Sequence, residues 1–244
     1  MLQWLRDNPV DVLCLQETKT VDDKFPVAEI EAAGYQVVYS GQKTYNGVAI
    51  LSRHAMTDVV KNNPLFEDEH RRVIAATIAG IRVVCVYIPN GQAVGSEKFS
   101  YKMNWLKALH DWISSECEKY PQLALLGDYN IAPEDRDVCD PAAWEGQTHV
   151  SEPERNAFRD LLALNMKDAF RMFEQPEKLY SWWDYRMMAF RRNMGLRIDH
   201  ILLTAPLAQR CTGCVIDKLP RKWEQPSDHA PVIATLQQDI AGQT

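Results

Sequence analysis

The chain has 244 residues, 46% hydrophobic and 25% charged, which suffices for one large domain with a well-buried core. A formal charge of −6 argues against a protein that coats a polyanion nonspecifically. No apolar run reaches the length of a membrane span, and the start, "MLQWLRDNPVD", has neither basic leader nor small-residue cleavage site, so a cytoplasmic protein without membrane association is expected.

In chain order, "MLQWLRDNP" reads as the second half of an amphipathic helix, ended by Asn8-Pro9. Short apolar runs bounded by turn residues follow at 11–17, 35–41, 47–52, 72–80 and 81–88, with a hairpin turn at Gly80. The segment 97–120 carries Phe99, Met103, Leu106, Leu109, Trp112 and Ile113 at three- and four-residue steps, the period of a helix. Another strand is predicted at 122–128. A second helix opens at Ser151-Glu152-Pro153-Glu154, with Ser151 as N-cap and Phe158, Leu161 and Leu162 on its apolar face. Strands at 198–204, 214–219 and 231–236 complete the series. Many strands with few, separated helices imply an α/β fold of packed sheets covered by helices, and no repeat or linker divides residues 1–244. Cys14 and Cys85 sit inside strand-like runs as buried thiols. "CTGC" (211–214) lacks the second pair a zinc site needs and is read as structural.

Polar residues recur where apolar runs stop. "LQETK" places Glu17 there, "YIPNG" Tyr87 and Asn90, "LGDYN" Asp128 and Asn130, "RIDH" Asp199, and "PSDHAPV" Asp228 and His229. Taken singly, Asp and Asn at such places are turn residues. As a set they suit phosphoryl chemistry. Glu17 is a hard oxygen ligand for Mg²⁺. Asp128 can activate a water that Asn130 holds, and His229 paired with Asp199 can stabilise charge on phosphorus. "YRMMAFRRNMGLR" concentrates Arg186, Arg191, Arg192 and Arg197, a local basic loop on an acidic protein.

"LQETK", "YIPNG", "LGDYNIAP", "GLRIDH" and "PSDHAPV", in this order, resemble the exonuclease III family of DNA-repair nucleases; "NGVAILSR" and "SWWDYR" fit the same family. The resemblance implies a four-layer αββα sandwich of two packed mixed sheets, Mg²⁺ or Mn²⁺ as cofactor, and a monomer acting on double-stranded DNA at abasic sites or 3′ ends. It implies Glu17 and Asp228 as metal ligands, Tyr87 and Asn90 on the scissile phosphate, and Asp128 as activator of water beside Asn130. Asp199 would be the partner of His229, and Trp182, Leu196 and Ile198 the apolar pocket for a base-less sugar. Arg186, Arg191 and Arg192 become DNA contacts. Family members begin with a further strand bearing an asparagine of the metal site, which precedes anything matched here. The expectation is therefore an N-terminally truncated domain of reduced activity. The alternatives are an impaired DNA-binding remnant, or a phosphoesterase of the same superfamily acting on another phosphodiester.

Overall fold

The computed structural model describes residues 1–237. Strands β1 (Val12–Gln16), β2 (Gln36–Ser40) and β3 (Val48–Ser52) form an antiparallel sheet in the order β1-β3-β2. β4 (Met56–Lys61), β5 (Val73–Ile78), β6 (Ile81–Tyr87), β7 (Leu123–Asp128), β8 (Met166–Asp168) and β9 (Asp199–Thr204) form a mixed sheet in the order β4-β5-β6-β7-β9-β8. Within it β6 and β7 run parallel and the other neighbours antiparallel. β10 (Cys211–Ile216) and β11 (Val232–Leu236) pair as an antiparallel ribbon. The helices are α1 (Leu2–Asp7), α2 (Val27–Ala32), α3 (Glu97–Lys119), α4 (Pro141–Trp144), α5 (Glu152–Ala163) and α6 (Ala205–Ala208).

Period-2 alternation of side chains decides which layer each residue enters. On β5, Val73 and Ala75 face α3 and α5, while Ile74, Ala76 and Ile78 face the other sheet. β6 repeats the division, with Val84 and Val86 on the helix side and Val83 and Cys85 between the sheets. On β3, Val48 and Ile50 point inward, and Ala49 and Leu51 outward onto Trp4, Leu5 and Ile30 of α1 and α2. The layers are thus α1 and α2, the small sheet, the six-stranded sheet, then α3 and α5: the αββα sandwich.

Five elements went unread in the sequence: β4, β8, α2 and the four-residue helices α4 and α6. β4 is an edge strand whose central residues Thr57, Asp58 and Val59 are exposed, and its pairing shifts register beside Asp58 at φ +50°. β8 has three residues, too few for periodicity, and α2 is a six-residue helix opening after Pro26. The strand placed at 214–219 starts at Cys211 and ends at Ile216, which puts "CTGC" in strand backbone. Asp217 leaves the strand to accept from Trp4 Nε1 at 2.9 Å. The smaller β-layer, expected as one sheet, is divided. Among the described residues β1 pairs only with β3 and β11 only with β10, yet Ile233 of β11 packs into the same apolar cluster as Leu13 and Leu15 of β1.

Candidate active site

Gly127 shows how the fold aims this site. It lies at φ +142° in β7, and a Cβ there would sit 2.0 Å from the carbonyl oxygen of Val86 on the parallel neighbour β6. The glycine lets β6 and β7 close together, and the residues that follow, Ile88 and Asp128, are joined by Ile88 N–H donating to Asp128 O at 2.9 Å. The tips of both strands therefore open at the same place.

Asp128, buried at the end of β7, is fixed by Asn130. The Asn130 backbone N–H donates to Asp128 Oδ1 at 2.9 Å, and its amide Nδ2 donates to Asp128 Oδ2 at 3.1 Å and to Ile88 O at 3.0 Å. Both amide protons of Asn130 are thus committed. Its Oδ1 faces Asn90 Nδ2 at 3.4 Å, so Asn130 orients the carboxylate and Asn90 is the amide at the exposed side. Burial raises the Asp128 pKa, the nearby His229 cation counters it, and Asp199 raises it again, leaving Asp128 at about 7.

His229 is 28% exposed; its Nδ1 lies 2.9 Å from Asp199 Oδ2 and its Nε2 3.9 Å from Asp128 Oδ2. Burial disfavours its cation, but Asp199, Asp128 and Asp228 outweigh that and raise its pKa to about 10. Asp199 is held in turn by Ser181, whose Oγ accepts from the N–H groups of Ile198 (3.1 Å) and Asp199 (3.0 Å), while Ser181 O accepts from Ala230 N at 2.7 Å. The serine of "SWWDYR" joins the two segments that carry the Asp–His pair.

Glu17 follows β1 in a left-handed conformation (φ +52°). It accepts from the Tyr87 hydroxyl at the end of β6 and, at 2.6 Å, from Lys19 Nζ. Burial opposes ionisation of Glu17, yet the hydrogen bonds from Lys19 and Tyr87 hold its pKa below the usual value. The Tyr87 phenol is pushed up, by burial first and by Glu17 second. Asp228 uses Oδ2 to accept from Trp182 Nε1 at 3.0 Å. Glu17 and Asp228 are oxygen donors that both act electrostatically on Lys19. The Lys19 ammonium against Glu17 shows that the place already favours positive charge, which suits a hard divalent cation. Asp128, Asp199 and His229 also bring ligand-type atoms within 4.8 Å of one another, with His229 Nδ1 hydrogen-bonded to Asp199.

The remaining expected residues divide by burial. Leu196 and Ile198 are packed at 0% and 2% exposure with Ala132, Val138 and the partly exposed Trp182, an apolar floor beside the site. Arg186, Arg191 and Arg192 are exposed next to the exposed Tyr185, Met187 and Met188. The basic stretch needs one correction, at Arg197. Arg186 makes a double contact with Asp184 immediately upstream, and Arg197 is a core residue, its guanidinium on Asp137 (2.7 Å) and Asp168 (2.9 Å). Lys102 and Glu154 were not foreseen. Lys102 occupies the otherwise apolar face of α3, where a single lysine gives no periodic signal.

Carboxylate, amides and an Asp–His pair at strand tips, on two packed sheets flanked by helices, define an αββα-sandwich hydrolase. The profile of the endonuclease/exonuclease/phosphatase family matches residues 1–229, and the chain belongs to that family. Exodeoxyribonuclease III of Haemophilus influenzae is 34% identical over 237 residues, spanning 92% of this chain and 89% of the relative. The structure of the 3′ phosphatase NExo from Neisseria bound to a product DNA hairpin matches with TM-score 0.95 and 46% identity, covering 97% of this chain and 92% of that one. An AP endonuclease from Archaeoglobus fulgidus matches with TM-score 0.94 and 39% identity, covering 98% and 93%. These relatives put the chain among the nuclease hydrolases of the exonuclease III type.

Proposed function

We propose that this chain is a Mg²⁺- or Mn²⁺-dependent DNA-repair phosphodiesterase that incises at abasic sites, trims 3′ ends and removes blocking groups from them. One observation carries the reading: Asp128, pinned by Asn130, faces a His229 imidazole held cationic by Asp199. That arrangement puts a proton acceptor and a positive charge 3.9 Å apart at one strand end, the two groups that attack of water on a phosphodiester requires. The relatives acting on 3′ ends and abasic sites support DNA as the substrate.

Asp128, with a pKa of about 7, takes the proton of the attacking water. Nε2–H of His229 donates to a non-bridging oxygen as charge accumulates on it, and Asp199 keeps the tautomer fixed. Asn90 Nδ2, with one N–H beyond that directed at Asn130 Oδ1, is the further donor to the phosphate, and the Tyr87 hydroxyl, which donates to Glu17, lies beside it. Glu17 and Asp228 would hold the divalent cation, which when bound supplies Lewis-acid stabilisation of phosphate and leaving-group charge. Trp182 over Leu196 and Ile198 presents the apolar surface for a sugar lacking its base, and Arg191 and Arg192 neutralise backbone phosphates.

The test is a duplex carrying one abasic analogue and a recessed 3′ end, with a second duplex ending in 3′-phosphate, incubated with Mg²⁺ and then with EDTA. Metal-dependent incision, shortening or dephosphorylation supports the reading. Intact DNA alongside hydrolysis of a phosphoinositide overturns it.

A further inference from the structure

We propose that Lys102 is a positioning residue, its buried ammonium setting the spacing of the two loops that carry Asn90 and Asn130; the catalytic consequence rests on the phosphodiesterase reading above. Lys102 and Glu154 are both 0% exposed. The three protons of the ammonium meet Glu154 Oε1, Asn130 O at 2.7 Å and Asn90 O at 3.2 Å. One cation therefore joins the loop after β6, the loop after β7 and the start of α5.

Glu154 extends the junction. Its Oε1 accepts from His149 N–H at 2.9 Å and lies 3.0 Å from Thr148 Oγ1, which is also 2.9 Å from Asn90 O. Its Oε2 accepts from Ser151, so the residue that holds the N-cap of α5 is the counter-ion of Lys102. Around the same carbonyl, His149 Nδ1 stands 2.7 Å from Asn130 O.

Stability alone does not explain this arrangement. A buried ion pair contributes little beyond what well-packed apolar side chains of the same volume would give. Its neighbours on this face of α3 are Phe99, Trp105, Leu106 and Leu109, so an apolar side chain would suit the packing. What an apolar side chain could not do is hold two carbonyls. Asn130 lies at φ +50°, a conformation that a non-glycine residue keeps when its surroundings over-determine it. Capture of its carbonyl by Lys102 fixes that peptide. The fixed peptide aims the Asn130 amide at Asp128 and brings Asn130 Oδ1 to within 3.4 Å of Asn90 Nδ2.

The decisive variant is Lys102→Met with Glu154→Gln, which removes the ammonium without stranding a buried carboxylate. Backbone hydrogen exchange reads the loops without substrate, and kcat and KM on the abasic duplex read the chemistry. Expected are cooperative unfolding, at least tenfold faster exchange over residues 88–92 and 128–132 with β5 and β9 unchanged, and kcat at least tenfold lower with KM within threefold. Wild-type exchange over those segments, or wild-type kcat in the folded double variant, overturns the proposal. If the wild-type chain leaves DNA uncut while exchange changes as expected, the DNA reading fails and the positioning role stands. Should the double variant not fold, Glu154→Gln alone retains the ammonium. Protection at 128–132 should then persist while that at 148–154 falls, and loss at 128–132 overturns the proposal.

Discussion

Asp199 and His229 face each other across 2.9 Å, and the imidazole turns its other nitrogen toward Asp128, 3.9 Å away. The pair fixes both the charge and the direction of His229. Asp199→Asn keeps the shape but removes the charge behind the imidazole. The expected outcome is a kcat lower by on the order of 10²- to 10³-fold, with little change in thermal midpoint. An NMR titration of the His229 ring should show its pKa falling toward the ordinary histidine value. A ring that still titrates as in the wild type would show that Asp199 is not its main partner.

Gly127→Ala tests the approach of β6 to β7. A methyl group 2.0 Å from the Val86 carbonyl cannot be accommodated without parting the strands, and φ +142° is itself a glycine conformation. Urea unfolding should show a loss of about 2 kcal/mol or more. Activity should fall further than the unfolded fraction accounts for, because Asp128 is the next residue. Equal losses in stability and activity would mean that the strand tip recovers its position.

The arginines of the 186–197 stretch should separate into two groups. Arg197→Ala leaves Asp137 and Asp168 buried beside a lost cation and should cost about 3–5 kcal/mol of stability. Arg191→Ala and Arg192→Ala should each leave stability within about 0.5 kcal/mol. Each should weaken DNA binding and reduce the dependence of log affinity on log salt by about one unit per lost phosphate contact. An unchanged salt slope would remove that arginine from the interface.

His200 gives a pH prediction with a definite sign. Burial first, and Arg197 second, lower its pKa to about 4 from the ordinary 6.5. Its Nε2 donates to Ile131 O at 2.8 Å while Nδ1 faces the Arg197 guanidinium at 2.9 Å, so the neutral ring is the one that fits. The unfolded chain binds this proton more readily between pH 6.5 and 4. The stabilisation is therefore complete above 6.5 and is lost as pH falls toward 4, with a slope approaching 1.4 kcal/mol per pH unit, the order of one titrating group. His149, also lowered to about 4, adds in the same direction; Asp128, raised to about 7, opposes both. The difference between wild type and His200→Asn isolates the effect. Their stability gap in urea should be widest near pH 7.5 and narrow toward pH 4. A gap independent of pH would show that His200 does not lose its proton affinity on folding.

Much of this architecture was legible in the residues. The apolar runs at 72–80 and 81–88 marked β5 and β6, and Ser151 as N-cap marked the start of α5. What escaped notice lacked periodicity. β4 is polar because it lies at an edge, β8 is shorter than one full alternation, and Arg197 looks like its exposed neighbours until Asp137 and Asp168 are placed around it.

The sequence by itself determined the strand order along the chain, the apolar faces and the polar residues at strand ends, because these follow from local spacing and side-chain chemistry. Tertiary structure alone decided which polar groups meet. Glu17 and Tyr87 are 70 residues apart and Lys102 and Glu154 are 52, yet each pair is in contact, since loops from non-adjacent segments close at one end of the packed sheets. It also assigned Arg197 to the core, because burial and long-range hydrogen-bond geometry are properties of the packed layers and not of neighbouring residues.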